Sequence, residues 1–141
     1  RVASGSPLTY SQSDIVPRGH AIEIRVNAED PAKNFSPCPG DVTFCVTPGG
    51  TGVRLDSHVY SGYRIPPYYD SMIGKLIVLG RDRQEALDRA RRAIGEYIID
   101  GVNTTLDFSS YLLTLEDVVH GRYDTGYVEK VIEEGLPYLQ S

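Results

Sequence analysis

The segment G-H-A-I-E-I-R-V-N-A-E-D-P, from Gly19 to Pro31, constrains this chain more than any other stretch. Ile22, Ile24 and Val26 alternate with Glu23, Arg25 and Asn27. Side chains two apart on a strand share a face, so one face of this strand is apolar and the other charged. Burying the apolar row sends Glu23 and Arg25 together over the opposite face of the sheet. Two readings of that pair follow. One is an exposed cross-face ion pair, which contributes little. The other is an arginine held rigidly for anion recognition, since a guanidinium presents a fixed fork of donors suited to oxyanions.

The remaining strand signals come early and the helix signals late. Val42, Phe44 and Val46 alternate with Thr43, Cys45 and Thr47, which predicts a short strand with the first set on one face. Pro48-Gly49-Gly50-Thr51-Gly52 lacks the G-K-[ST] ending of a phosphate loop and is read as a hairpin turn into a strand from Val53 to Tyr60. Glu29-Asp30-Pro31 predicts a break, and F-S-P-C-P-G from Phe35 to Gly40 an ordered loop. Met72 to Leu79 reads as a well-buried strand with Asp70 at its mouth.

Asp82 as N-cap, Glu85 three residues on, and Leu87, Ala90, Ile94, Tyr97 and Ile98 at helical spacing predict a helix closed by Asp100-Gly101. The arginines at 81, 83, 89, 91 and 92 fall largely off that stripe and read as a solvated face. A second helix is expected after Asn103 to Thr105, carrying Leu106, Leu112, Leu113 and Leu115 through Val119 to Gly121. A third follows Asp124-Thr125-Gly126, with Tyr127, Val128, Val131 and Ile132 as its packing side. The order predicts an α+β domain: an antiparallel sheet from the N-terminal two-thirds, packed on one side by helices from the C-terminal third. Residues 1–13 read as a helix end and linker, residues 135–141 as a loose tail, and 1–141 as a single domain.

Composition narrows the function. A net charge of −5 over 141 residues leaves no basic face for a phosphate backbone, so nucleic acid is not expected. No apolar run approaches the roughly 20 residues of a membrane span, and the chain reads as cytoplasmic. Cys38 and Cys45 lack the neighbouring ligands of a zinc site. No nucleophile elbow, metal-ligand spacing or acid/base dyad is recognisable. A stand-alone hydrolase would have to bring His58 and Asp70 together, and an interaction module needs no chemistry at all.

Five strings in order resemble the C-terminal domain of biotin carboxylases: R-G-H-A-I-E-I-R-V-N-A-E-D-P from Arg18, F-S-P-C-P-G from Phe35, P-G-G-T-G-V-R-L-D-S-H-V-Y from Pro48, P-P-Y-Y-D-S-M-I-G-K-L from Pro66, and I-D-G-V-N-T-T from Ile99. The resemblance runs from Arg1 to about Ile132. It implies the third part of an ATP-dependent ligase of the acetyl-CoA, propionyl-CoA or pyruvate carboxylase type, the first of these serving fatty acid biosynthesis. Such an enzyme uses ATP, with magnesium or manganese, to activate bicarbonate and carboxylate N1 of biotin on a carrier protein. The segments of the ATP-grasp and N-terminal domains are not in this sequence, which implies an excised piece, inactive by itself.

By the resemblance, Arg25 is the catalytic and substrate-binding arginine facing biotin, held by Glu23 on the same strand face or by a carboxylate from another domain, and Asp70 lies near the same cleft. Thr125 approaches the adenine pocket. The implied partners are the ATP-grasp domain of the same polypeptide, the biotin carboxyl carrier protein and the carboxyltransferase. Thr51 and Arg54 match a segment that contributes to a two-fold contact. Threonine stands where the family often has a larger aromatic residue, which implies at most a weak homodimer. The alternative reading is a non-catalytic interaction or dimerisation module of a carboxylase complex.

Overall fold

A computed structural model describes residues 1–139 of the chain. Strand β1 spans His20–Asn27, followed by short strands β2 (Glu29–Asp30), β3 (Ser36–Pro37), β4 (Gly40–Asp41) and β5 (Phe44–Val46). Next come β6 (Val53–Ser57), β7 (Arg64–Ile65) and the long strand β8 (Met72–Gly80). Helix α1 covers Arg83–Glu96 and leads into β9 (Ile98–Asp100). Helices α2 (Leu106–Leu112), α3 (Glu116–His120) and α4 (Tyr127–Glu134) complete the described domain. The fold is α+β, as its sequence pattern predicts.

Strand β8 is the middle of a three-stranded antiparallel sheet ordered β1-β8-β6. Ile24 stands opposite Leu76 and Arg25 opposite Lys75, while Leu55 faces Leu76 from the other side. Val26, Leu76 and Val78 are wholly buried on one face. Helix α1 covers that face with Ala86, Leu87, Ala90, Ala93 and Ile94. Its approach is close at the connection, where a Cβ on Gly80 would lie 2.5 Å from the Ala86 backbone nitrogen. Asp82 caps α1 by accepting from the Glu85 N–H at 2.9 Å.

Several local expectations are corrected by tertiary pairing. At Val42 the chain changes partners: the Val42 N–H donates to Tyr63, and the next N–H, of Thr43, donates to Asp100. The change of partner breaks the alternation. Val42 is buried, whereas Phe44 and Val46 point outward and half-buried Cys45 packs against the core. The glycine turn at 48–52 is no hairpin, because β5 pairs with β9 and β6 with β8. Helix α1 ends at Glu96 rather than running past Ile98, since Ile98–Asp100 is drawn off to pair with β5. Glu29–Asp30, expected as a break, pairs with Ser36–Pro37. The turn between them holds Asn34 and Phe35 at φ 53° and 56°, with Phe35 fixed edge-on to Phe108 at 4.9 Å.

The predicted second helix is two helices, α2 and α3, parted at 113–115. The Leu113 carbonyl freed at the break accepts from Arg91 at 2.8 Å. Arg81 and Arg92 keep the exposure expected of a solvated face, but the arginines of α1 also reach carbonyls. Arg83 donates to the carbonyls of Val118 and Val119 at the end of α3, Arg89 to that of Leu79, and Arg92 to that of Gly49. Each satisfies a carbonyl on a neighbouring element, that of Val118 being shared with the Gly121 N–H. Val128 leaves the expected packing side of α4 and is 40% exposed. The tail is packed as far as Tyr138: Leu136 is buried and Tyr138 lies against Tyr111, while 140 and 141 fall outside the described residues. No helix of the described residues is long and apolar enough to cross a membrane.

Two glycines separate crowding from backbone strain. At Gly101 (φ 99°) the Asp41 carbonyl oxygen stands where a Cβ would go, whereas Gly62 (φ 92°) has nothing within 4 Å. Both pay the left-handed penalty on becoming alanine, roughly 1–2 kcal/mol, but only Gly101→Ala must also push β4 away. Gly101→Ala is therefore expected to lower the denaturation midpoint well beyond Gly62→Ala; equal shifts would refute the crowding argument.

Candidate functional site

Strand β1 is the edge of the sheet, and the cleft lies along it. A cavity of about 560 Å³ opens between β1, the start of α2 and the segment leading into α4. Glu23, Arg25 and Asn27 line it from the strand, Phe108 from α2, and Tyr123, Asp124 and Tyr127 from the far wall. The alternation that buries Ile24 and Val26 beneath α1 is what turns Arg25 outward.

Arg25 meets Asp70, the carboxylate at the mouth of β8, at 3.9 Å. The two side chains are 59% and 73% exposed, so the pair is long and wet. The same Asp70 oxygen accepts the Met72 N–H at 2.8 Å, which makes Asp70 both the turn cap of β8 and the partner of Arg25. Glu23 shares the cleft with Arg25 but makes no hydrogen bond or ion pair among the described residues; the contact to the guanidinium comes from Asp70. Thr125 is exposed and is not among the residues lining the cavity. Its neighbour Asp124 does line it, and accepts the Gly126 N–H at 2.9 Å.

Side chains with no strong signal in the sequence complete the wall. Asn27 donates from Nδ2 to Glu29 at 3.0 Å, and the Ser71 hydroxyl donates to the same carboxylate oxygen at 2.5 Å. The Asn27 Oδ1 is buried without a hydrogen-bond partner among the described residues. Thr105, at the head of α2, reaches the backbone of β1. Only the parity of Asn27 with Arg25 hinted at any of this.

His58 lies edge-on to Tyr63 at 5.2 Å, whereas Asp70 is engaged with Arg25 and Met72. The pair that a stand-alone hydrolase needs is not formed. Thr51 sits in the exposed turn, and Arg54 forks onto Asp56 with two contacts of 2.9 Å on β6, at the opposite sheet edge from Arg25. Among the described residues no group of three His, Cys, Asp or Glu is placed to hold a metal ion.

The profile of the biotin carboxylase C-terminal domain matches residues 23–130. The chain belongs to that family. A pyruvate carboxylase subunit from Methanothermobacter thermautotrophicus is 54% identical over 130 residues, 92% of this chain and 26% of the relative. Biotin carboxylase 1 of Bacillus subtilis is 50% identical over 129 residues, 92% of this chain and 29% of the relative. Among solved structures, the biotin carboxylase domain dimer of Hydrogenobacter thermophilus 2-oxoglutarate carboxylase, in complex with MgADP, ADP and bicarbonate, superposes with a TM-score of 0.85 at 43% identity. The match covers 92% of this chain and 29% of that one. The chain thus spans between a quarter and a third of the length of these relatives.

Behind the cleft, Asp30 ties β2 to the approach of α2 by accepting from Asn103 at 2.9 Å. Burial pushes its carboxyl up, but the Asn103 amide, Lys33 and the Ala32 N–H together hold it below the ordinary value of 3.8. A depressed folded-state pKa stabilises above the unfolded value and loses that effect as pH falls through the folded one. Asp30→Asn is expected to lower the melting temperature at neutral pH, with the difference shrinking as pH drops below 3.8. A difference that persists undiminished in acid would show that the charge is not its source.

Proposed function

We propose that this chain is the domain that completes a biotin carboxylase site, where ATP and bicarbonate carboxylate N1 of biotin borne on a carrier protein. The observation that carries the reading is Arg25: a guanidinium on a strand paired along its length, facing an open cleft, with one long exposed contact as its only ion pair among the described residues. Such a group has donors to spare for an incoming oxyanion. Family membership supplies the reaction, and the bicarbonate and MgADP held by the Hydrogenobacter relative support the substrates.

As the ureido nitrogen loses its proton, negative charge gathers on the ureido oxygen, and Arg25 donates to that oxygen as the charge develops. Asp70 biases the guanidinium toward the β8 end of the cleft, and Glu23 supplies a second carboxylate on the same face. Thr125 lies on the segment that would close over the nucleotide. The magnesium or manganese of such an enzyme falls to the ATP-grasp domain in this reading. The ATP-grasp domain of the same polypeptide, the carrier protein and a carboxyltransferase are the partners in this reading, the cytoplasm its compartment, and any homodimer through Thr51 and Arg54 a weak one.

In the complete enzyme, Arg25→Ala is expected to lower biotin-dependent ADP release by about 10²–10³, the usual cost of removing one donor from a developing oxyanion. Asp70→Ala should cost less than about tenfold, because an exposed pair contributes at most about 1 kcal/mol. Arg25→Ala with full turnover would reduce Arg25 to a surface ion pair.

A further inference from the structure

Strand β1 is hydrogen-bonded to β8 along one edge and ends the sheet on the other. At Arg25 and Asn27 that outer edge is nevertheless closed, by a single residue. The Thr105 N–H donates to the Asn27 carbonyl at 3.0 Å, and the Asn27 N–H donates to the Thr105 hydroxyl at 3.0 Å. The hydroxyl in turn donates to the Arg25 carbonyl at 3.4 Å.

Threonine at the head of a helix ordinarily turns its oxygen onto the first-turn N–H groups. Thr105 precedes α2 and makes no such cap bond. Its hydroxyl faces the strand instead, and the residue is only 7% exposed. A buried hydroxyl whose donor and acceptor both engage one strand is costly to lose, because its removal leaves two backbone groups unpaired.

The other end of Arg25 is loosely held. Its side chain is 59% exposed and its ion pair spans 3.9 Å, so the place of the guanidinium is set chiefly from the backbone outward. We propose that Thr105 is a positioning residue for Arg25, fixing the β1 backbone so that the guanidinium meets the ureido oxygen. This assignment rests on the carboxylation reading above.

The test uses Thr105→Val, which keeps the shape and removes the hydroxyl, beside Thr105→Ser, which keeps the hydroxyl, in the complete enzyme. Thr105→Val should speed amide hydrogen exchange at Asn27 and lower kcat for biotin carboxylation by about tenfold or more, leaving KM for ATP unchanged. Thr105→Ser should restore both. In an Arg25→Ala background Thr105→Val should cost nothing further, because the two residues act as one unit. A loss of equal size in both backgrounds would make Thr105 merely structural and overturn the assignment, as would Thr105→Ser being as impaired as Thr105→Val. If Thr105→Val does not fold, Thr105→Ala takes its place in the same comparison. Full activity of Arg25→Ala would overturn the role of Arg25 and that of Thr105 together, whereas strong Arg25 dependence with background-independent loss at Thr105 would overturn Thr105 alone.

Discussion

The antiparallel pairing of β1 with β8 is the constraint on which the rest of the domain depends. Its register puts Ile24 opposite Leu76 and Arg25 opposite Lys75. Because side chains alternate with a period of two, a slip of one residue would drive Arg25 under α1 and bring Ile24 and Val26 into the cleft. Burial resists that slip: Val26, Leu76 and Val78 are wholly covered, each worth about 1.5–3 kcal/mol over exposure. The apolar face thus fixes the direction of the polar one, and the hydrophobic core is also what aims the arginine.

Around that pair, α1 works as a hub. Its alanine-rich side lies on the sheet, while its arginines reach the carbonyls of Leu79, Gly49, Leu113 and the end of α3. Carbonyls at broken or ending elements are the acceptors that secondary structure leaves unpaired, and guanidinium groups with several donors fit them. Helix α3, which leads into the far wall of the cleft, is therefore held to the same helix that covers the strand bearing Arg25. Asp30, gripping Asn103 just ahead of α2, adds a second tie on the side of Thr105.

How much of this was legible depends on the range of the interaction that decides each element. Strands β1 and β8 and the start of α1 follow from alternation, an apolar run and a cap, all local signals. Strand β9 does not, because Ile98 continues the helical stripe of α1 and only the demand of β5 for a partner makes it a strand. Val42 and Phe44 read as one face, yet the change of partner at Thr43 separates them. The arginines of α1 looked solvated since nothing in sequence shows which carbonyls lie nearby. In the site, Arg25 was visible from parity and Asp70 from its place before a buried strand. Thr105 was not, for its use depends on a contact 80 residues away in sequence from Arg25.

The most direct measurement is a crystal structure of the complete enzyme with bicarbonate and biotin bound, read for the position of one side chain. The account predicts the Arg25 guanidinium within about 2.7–3.2 Å of the ureido oxygen, reaching from a β1 backbone still pinned to Thr105. An Arg25 turned away from biotin and locked onto a protein carboxylate, with other donors on the ureido oxygen, would contradict it.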